Sequence, residues 1–299
     1  MSKTLHIFDV SPFLHAGHVN KASKLEKLIN TGSTWKTQVT PTGGTSLLFN
    51  TLYEVLGSGD FVFCCDRNPT IKKDMITGYK SNRNHNRDMQ VEKGVAEYIL
   101  EKCECTVLAR AGYEADDIIY SIVKQKYNEY DRIFIYTGDS DLYFLVDKKV
   151  SIRPSSSRAK MVNYDNFTAV TGYPYNTITI GKILYGDSAD CIEGIPKAKR
   201  SEIQKFFYTP NFYEHLGDKE FVKYYFDTMF PDFSQRVDMV FPLEVTDLPD
   251  DYSKPNKQMI INFGDAINNR YFRNRAETSF DVRPYVEEIQ SQGLYIEED

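Results

Sequence analysis

Three short apolar runs in this chain lead into aspartate. Leu5-His-Ile-Phe8 stops at Asp9, Phe61-Val-Phe-Cys-Cys65 stops at Asp66, and Ile133-Phe-Ile-Tyr136 passes through Thr137-Gly138 to Asp139 and Asp141. A fourth run, Cys105-Thr-Val-Leu108, leads through Gly112-Tyr113 to Glu114, Asp116 and Asp117 at the head of an apolar segment containing Ile118, Ile119, Ile122 and Val123. Taken singly, each acid is an ordinary turn former or helix-start residue. Brought together, they repel and raise one another's pKa unless cations sit among them. Hard oxygen ligands without His or Cys company select Mg²⁺ or Mn²⁺ rather than zinc. Several carboxylates around two such ions suit phosphodiester hydrolysis, where one ion generates hydroxide and the other stabilises the leaving oxygen.

Convergence depends on the elements that carry these acids. Helical patterns alternate with the apolar runs; in Val91 to Cys103, for example, Val91, Val95, Tyr98 and Ile99 recur at helical spacing. The alternation is βαβ and predicts an α/β fold with a mainly parallel central sheet and helices on both faces. In such a sheet all strand carboxyl ends share one edge, where ligands bind. The acids are therefore expected to meet there.

Composition bounds the rest. With 299 residues, 41% hydrophobic and 14% aromatic, the chain has enough apolar surface for one or two folded domains and is not a disordered tail. Its apolar runs are far shorter than the roughly 18 to 20 residues of a membrane helix, and Met1 to Asp9 lacks the apolar region of a signal peptide. The expectation is a monomer of the cytoplasm, or of a host's cytoplasm if phage-encoded, with no membrane partner. Five cysteines (Cys64, Cys65, Cys103, Cys105 and Cys191) show no zinc-site spacing and read as reduced core residues, with Cys103-Glu-Cys105 as soft metal ligands the alternative. A net charge of −6 argues against a nucleic-acid partner unless the acids are concentrated in one place. No internal repeat or low-complexity tract is present.

Further on, Lys182 to Tyr185 closes a helix, and the turn-rich stretch from Gly186 to Pro196 adds Asp187 and Asp190 before a basic helix from Lys197. At this point Asp9, Asp66, Tyr113-Glu-Ala-Asp-Asp117, Thr137-Gly-Asp-Ser-Asp141 and Gly186-Asp-Ser-Ala-Asp190 together resemble, in order, spacing and residue type, the successive motifs of the 5′ nuclease superfamily. That superfamily holds flap endonucleases, the 5′-3′ exonuclease domain of bacterial DNA polymerase I, and phage 5′ nucleases including phage ribonuclease H. The resemblance spans roughly residues 5 to 200. It implies a PIN-like sheet, a helical arch, and a C-terminal helical region with a helix-three-turn-helix-like element. The implied division is a nuclease domain at 1–172 and a duplex-binding region with an acidic tail at 173–299.

The resemblance also implies two Mg²⁺ ions per site, replaceable by Mn²⁺. Asp9, Asp66, Glu114 and Asp116 match the acids of the first ion, and Asp139, Asp141 and Asp187 those of the second. Asp117 and Asp190 match acids near or between the two. Without these nine, the 36 bases outnumber the remaining acids by three, so the rest of the surface suits phosphate. Six cations lie between Arg67 and Gln90, where a solvated helix face is the plain alternative. Within them Tyr79-Lys80-Ser-Asn-Arg83 resembles the family's arch segment. That likeness assigns Lys80 and Arg83 to the scissile phosphate and Tyr79 to an unpaired base, with Lys72, Lys73 and Arg87 as further nucleic-acid contacts.

Lys182 to Phe207 resembles the family's duplex anchor, with Lys197, Lys199 and Arg200 as its phosphate contacts. These cations stand where many members carry a Gly-Ile-Gly hairpin, which leaves the family's K⁺ site in question. Such missing glycines also suggest the phage ribonuclease H branch. His15 stands near the place of a family arginine and reads as structural. Phe221, Tyr225 and Met229 mark an amphipathic helix read as core, and the basic stretch from Asn268 to Arg275 is either a DNA contact or a surface helix.

The expected function is a structure-specific 5′ nuclease cutting near 5′ ends and single-strand/duplex junctions, as in RNA primer removal and flap trimming during DNA replication. Its partners are then DNA or RNA/DNA duplex, with replication proteins besides. The alternatives are a PIN-type ribonuclease, which shares the acid edge, and a non-catalytic junction-binding protein of the same fold.

Overall fold

A computed structural model describes residues 2–18, 24–30, 35–41, 43–82, 87–155 and 159–267. Its centre is a five-stranded parallel sheet. The elements begin with β1 (Thr4–Asp9), α1 (Val10–His18), an antiparallel hairpin β2 (Lys24–Asn30) and β3 (Trp35–Pro41), α2 (Gly43–Val55) and β4 (Asp60–Cys64). Then come α3 (Thr70–Met75), α4 (Arg87–Lys102), β5 (Thr106–Leu108), α5 (Ala115–Lys126), β6 (Arg132–Tyr136), a 3₁₀ turn at Ser140–Leu145 and β7 (Val150–Arg153). The later elements among the described residues are helices and one two-stranded hairpin: α6 (Phe167–Thr171), α7 (Thr177–Tyr185), β8 (Gly186–Asp187), β9 (Ile192–Glu193), α8 (Lys197–Phe207), α9 (Lys219–Met229), α10 (Gln235–Val240) and α11 (Lys257–Ile267).

The strand order is β5-β4-β1-β6-β7, with every neighbour parallel. The order reverses at β1, so the crevice used by ligands in such sheets opens beyond the carboxyl end of β1, at Asp9.

Period-two alternation sorts the strand residues between two cores. Leu5, Ile7, Val62, Cys64, Ile133 and Ile135 face an aliphatic side packed by α5. Ile180, Leu184, Ile203, Phe207, Val222 and Phe226 of α7, α8 and α9 belong to that same core, so it runs unbroken past residue 172. On the other face Phe8, Phe61, Phe63 and Tyr136 form an aromatic layer covered by α1, α2, α4 and α11. His6 is stacked within it on Phe61 and Phe134, and burial lowers its pKa to about 4.

Residues 241–256 run as an extended strap over α5 and the β4–β5 edge. Leu243 N–H donates to Asp117 Oδ1 at 2.7 Å, Val245 N–H to Ser121 Oγ at 2.7 Å, and Ser253 N–H to Thr106 Oγ1 at 2.9 Å. The β2–β3 hairpin and this strap are additions to the elements expected from the sequence. On α9 the buried residues are Val222 and Phe226, while Phe221 and Tyr225 flank the core and Met229 is 52% exposed. The expected stripe is therefore rotated by one residue toward solvent. Cys64, Cys65, Cys103 and Cys105 are buried free thiols, and burial pushes Cys103 up to about 12. The arginines at 270, 273 and 275 lie outside the described residues.

Candidate active site

Asp9 is the last residue of β1, is buried, and accepts a hydrogen bond from Thr137 Oγ1 at 2.8 Å. Asp66 lies two residues beyond β4 and accepts from Ser11 Oγ at 2.5 Å and from Ala115 N–H at 2.9 Å. The second contact aims a carboxylate at the N-terminus of α5, where the helix dipole favours negative charge. Glu114 caps that helix, and Asp116 and Asp117 occupy its first turn. Beyond β6, Asp139 accepts from the Asp141 N–H at 2.9 Å and so starts the 3₁₀ turn. Asp187 sits in β8, and Asp190 in the turn that follows. One carboxylate oxygen each from Asp141, Asp187 and Asp190 lie within 4.8 Å of one another.

The hairpin presenting Asp187 and Asp190 depends on one glycine. Gly186 has φ 83°, and a Cβ there would stand 2.5 Å from Gly194 N and from Ile192 O. Only glycine allows both that conformation and the close crossing of the two strands. Where a three-turn connection was expected, α7 and α8 are thus joined by a two-stranded hairpin.

Electrostatics divides the acids. Burial and the charge of Asp66 push Asp9 well above the usual carboxylate range, and burial with Asp139 does the same to Asp116. Burial and Asp139 also lift Asp141 to about 6, although Lys182 opposes them. Glu114 goes the other way. Burial would raise it, but Lys72 and Lys80 outweigh that effect and hold it at about 2. Lys72 Nζ bridges Glu114 Oε2 at 2.8 Å and Asp117 Oδ1 at 2.9 Å, while Lys80 Nζ pairs with Glu114 Oε1 and lies 3.8 Å from Asp190 Oδ1. Among the described residues, Asp9, Asp66, Asp116 and Asp139 form no ion pair.

Three expectations change here. Lys72 is buried and faces the acids rather than an approaching phosphate, because two carboxylates repay the cost of burying its charge. Tyr79 is only 4% exposed and donates its hydroxyl to Glu114 Oε2 at 2.7 Å, so its ring is packed with Ile76 and Ile192 and offers no open face to a base. Asp117 is fully buried and spends both oxygens on structure: Oδ2 accepts the Glu114 N–H at 2.9 Å, and Oδ1 accepts from Lys72 and from the strap. It sets the first turn of α5 as a capping partner.

The remaining candidates are more peripheral. Lys73 is exposed and bonds Asn68 Oδ1 at 2.6 Å. Lys197 and Lys199 are exposed on α8, Lys199 pairing with Glu202 at 3.2 Å. Arg200 turns back to the Ile195 carbonyl at 2.5 Å and stacks over Tyr185, 5.2 Å from the ring centre, so it braces the hairpin. Arg83 and the side chain of Arg87 lie outside the described residues.

A residue that motif spacing did not flag as functional stands in the centre. Lys182, on the last turn of α7, donates to Asp141 Oδ1 and, at 2.6 Å, to Asp187 Oδ2. Its spacing of five residues before Asp187 was the available signal. Thr137 and Ser11 likewise orient Asp9 and Asp66.

The donors are all oxygen, burial and mutual repulsion raise the pKa of several carboxylates, and ammonium groups already neutralise others. This chemistry fits hard divalent cations.

Residues 5–172 match the family described as 5′-3′ exonuclease, N-terminal resolvase-like domain. The 5′-3′ exonuclease of Mycoplasmopsis pulmonis is 28% identical over 155 residues, covering 50% of this chain and 52% of that protein. The chain thus spans about half the length of that relative. Among solved structures, the D15 protein of phage T5 co-crystallised with metal ions superposes with a TM-score of 0.56 at 16% identity, over 80% of this chain and 88% of that one. A bacteriophage T5 D15 flap endonuclease in a pseudo-enzyme–product complex with DNA and metal ions gives 0.51 at 15% identity, over 89% of each chain. At these identities the two structures show a shared fold.

Proposed function

The chain belongs to the family of 5′-3′ exonucleases with an N-terminal resolvase-like domain, and from that membership we propose that it is a divalent-metal-dependent, structure-specific 5′ nuclease. It hydrolyses phosphodiesters near 5′ ends and single-strand/duplex junctions, and its role is RNA primer removal and flap processing. The observation that carries this reading is the placing of Asp9, Asp66, Asp116 and Asp139 beyond the switch point of the sheet with no ion pair among the described residues.

In this reading Asp9, Asp66 and Asp116 hold one Mg²⁺ and Asp141, Asp187 and Asp190 the other, with Asp139, which acts on both groups, between them. When bound, such a pair activates water and stabilises the leaving oxygen, and Mn²⁺ can replace it. The chain's own groups do the rest. Lys80, released from Glu114, meets the negative charge that develops on the phosphoryl oxygens, as does Arg83. Lys72 keeps Glu114 ionised, and the Glu114–Asp117 cap fixes the turn that presents Asp116.

Residues 173–299 form the duplex-binding region, with Lys197 and Lys199 as phosphate contacts at the head of α8 and Arg200 as their brace. The T5 complex with DNA supports a nucleic-acid substrate. Among the described residues no helix is long and apolar enough to cross a membrane.

The test is cleavage of end-labelled 5′ flap, nicked duplex, RNA-primed duplex and hairpin RNA in Mg²⁺, each with a chelator control. Short products from the flap and primed substrates, abolished by chelator, are expected. Cleavage of hairpin RNA alone would replace the reading with a PIN-type ribonuclease. Junction binding without any cleavage would make the protein a non-catalytic anchor.

A further inference from the structure

We infer that Lys182 is a built-in counter-ion of the second acid group, which the second divalent cation must displace, so that this lysine sets the metal concentration at which the site fills. The inference rests on the metal-dependent reading above.

Lys182 reaches its position from the last turn of α7, and its side chain is 22% exposed. Its Nζ contacts Asp141 Oδ1 and Asp187 Oδ2 in one bridge, although these acids come from segments 46 residues apart in sequence. Asp190 contributes a third carboxylate oxygen within 4.8 Å of those of Asp141 and Asp187. Lys182 therefore bridges two of three neighbouring carboxylates, while Asp190 lies 3.8 Å from Lys80 Nζ.

That arrangement has two consequences. First, the oxygens occupied by the ammonium are among the donors that a cation on Asp141, Asp187 and Asp190 would use, and ammonium and dication repel each other. Binding of the cation and retention of the bridge oppose one another. Second, the ammonium is the cation paired with Asp141 and Asp187, so its loss exposes the metal-free protein to the mutual repulsion of those two acids. The first acid group differs on both counts. Asp9, Asp66 and Asp116 have no ion pair among the described residues, so a cation there displaces no ammonium. Filling is then ordered: the Asp9–Asp66–Asp116 group takes a cation at lower concentration, and the Asp141–Asp187–Asp190 group takes one only after Lys182 yields.

The decisive comparison is Lys182→Met, which keeps the apolar stem and removes the charge, with Lys182→Arg as the charge-conserving control. Free Mn²⁺ is followed by electron paramagnetic resonance during titration of the full-length protein, and thermal unfolding is recorded in chelator and in saturating Mn²⁺. Wild type should bind Mn²⁺ in two steps. Lys182→Met should tighten the weaker step by roughly tenfold, a figure already reduced for partial exposure, and leave the tighter step within about threefold. Lys182→Arg should restore a weak second step. The Met variant should melt earlier than wild type in chelator, with a wider gap between its melting temperatures in chelator and in Mn²⁺. If Lys182→Met does not fold, Lys182→Gln retains donors for both carboxylates and should show the same tightening.

An unchanged or weakened second step in a folded neutral variant overturns the inference, even if the metal-free protein melts earlier, because lost stability alone is what a packing role would give. Failure of wild type to bind any Mn²⁺ overturns the metal-dependent reading and this inference with it.

Discussion

Asp9, Asp66, Asp116 and Asp139 form no ion pair among the described residues, whereas Glu114, Asp117, Asp141, Asp187 and Asp190 share Lys72, Lys80 and Lys182. The two groups are neighbours on one sheet edge and are made of the same chemical group. They differ in how the fold treats their charge. The lysine-paired group is balanced from within and contributes to holding α3, α5, α7 and the β8–β9 hairpin together. The bare group is left in mutual repulsion, which folding alone would not favour. Real proteins keep such local conflicts at functional sites, and the bare group is accordingly where chemistry is to be sought first.

Substitution in each group should separate them most clearly. Asp116→Asn should reduce flap cleavage by on the order of a thousandfold while raising the melting temperature in chelator, because a repelled and buried charge is removed. Asp187→Asn should also reduce cleavage, yet lower that melting temperature, because Lys182 loses a partner. Single-turnover cleavage and scanning fluorimetry give both numbers, and parallel stability changes in the two variants would break the division.

Lys80→Ala comes next. A loss of about a hundredfold in the cleavage rate is expected from removing an electrostatic group at the phosphoryl oxygens, with a smaller change in substrate binding measured by filter retention. Equal losses in rate and binding would make Lys80 a general phosphate anchor.

The pH response of the metal-free protein should carry opposite signs for the acids that burial raises and for those that lysines lower. Asp141, at about 6, and Asp9 and Asp116, also raised, retain protons in the folded chain that the unfolded chain has already lost. Their effect is that stability falls as pH rises from about 4 through 6 and beyond. Glu114, held at about 2, and Asp187, lowered by Lys182, contribute stability that is present above the usual carboxylate value and lost only as pH falls below it. In chelator the melting temperature should therefore decline between pH 5 and 7.5, and Mg²⁺ should flatten the decline. A melting temperature that rises over that range would mean that the raised carboxylates do not govern the response.

The smallest effect belongs to the duplex anchor. Replacing Lys197 and Lys199 by Ala should weaken junction binding and lower the salt slope by about one to two counterions, with cleavage of a short single strand hardly changed. An unchanged slope would move the duplex footprint off the head of α8.

How far the site could be read from the sequence follows from the range of the forces involved. Asp9, Asp66, Asp139 and Asp141 were legible because an apolar run ending in an acid is a local pattern and parallel strands share one edge. The lysines were not legible in their roles. Lys72 looks like any cation of a basic segment until the fold brings it to Glu114 and Asp117, more than 40 residues away. Tyr79 shows the same limit: an aromatic beside two cations suggests a stacking platform, but Ile76, Ile192 and the Glu114 carboxylate bury it. Asp117 carries the motif's residue type and serves as a cap, a distinction that rests on hydrogen bonds to Glu114 N–H and Leu243 N–H.

The bond from Leu243 to Asp117 spans 126 residues of chain, so the order of synthesis bears on when the tie between them can form. At roughly 5 to 20 residues per second, the strap leaves the ribosome on the order of ten seconds after α5. Until then Asp117 holds the first turn of that helix through the Glu114 N–H and Lys72 but lacks its third partner, the Leu243 N–H. The nascent chain thus carries its site acids early and gains the strap's tie to Asp117 late.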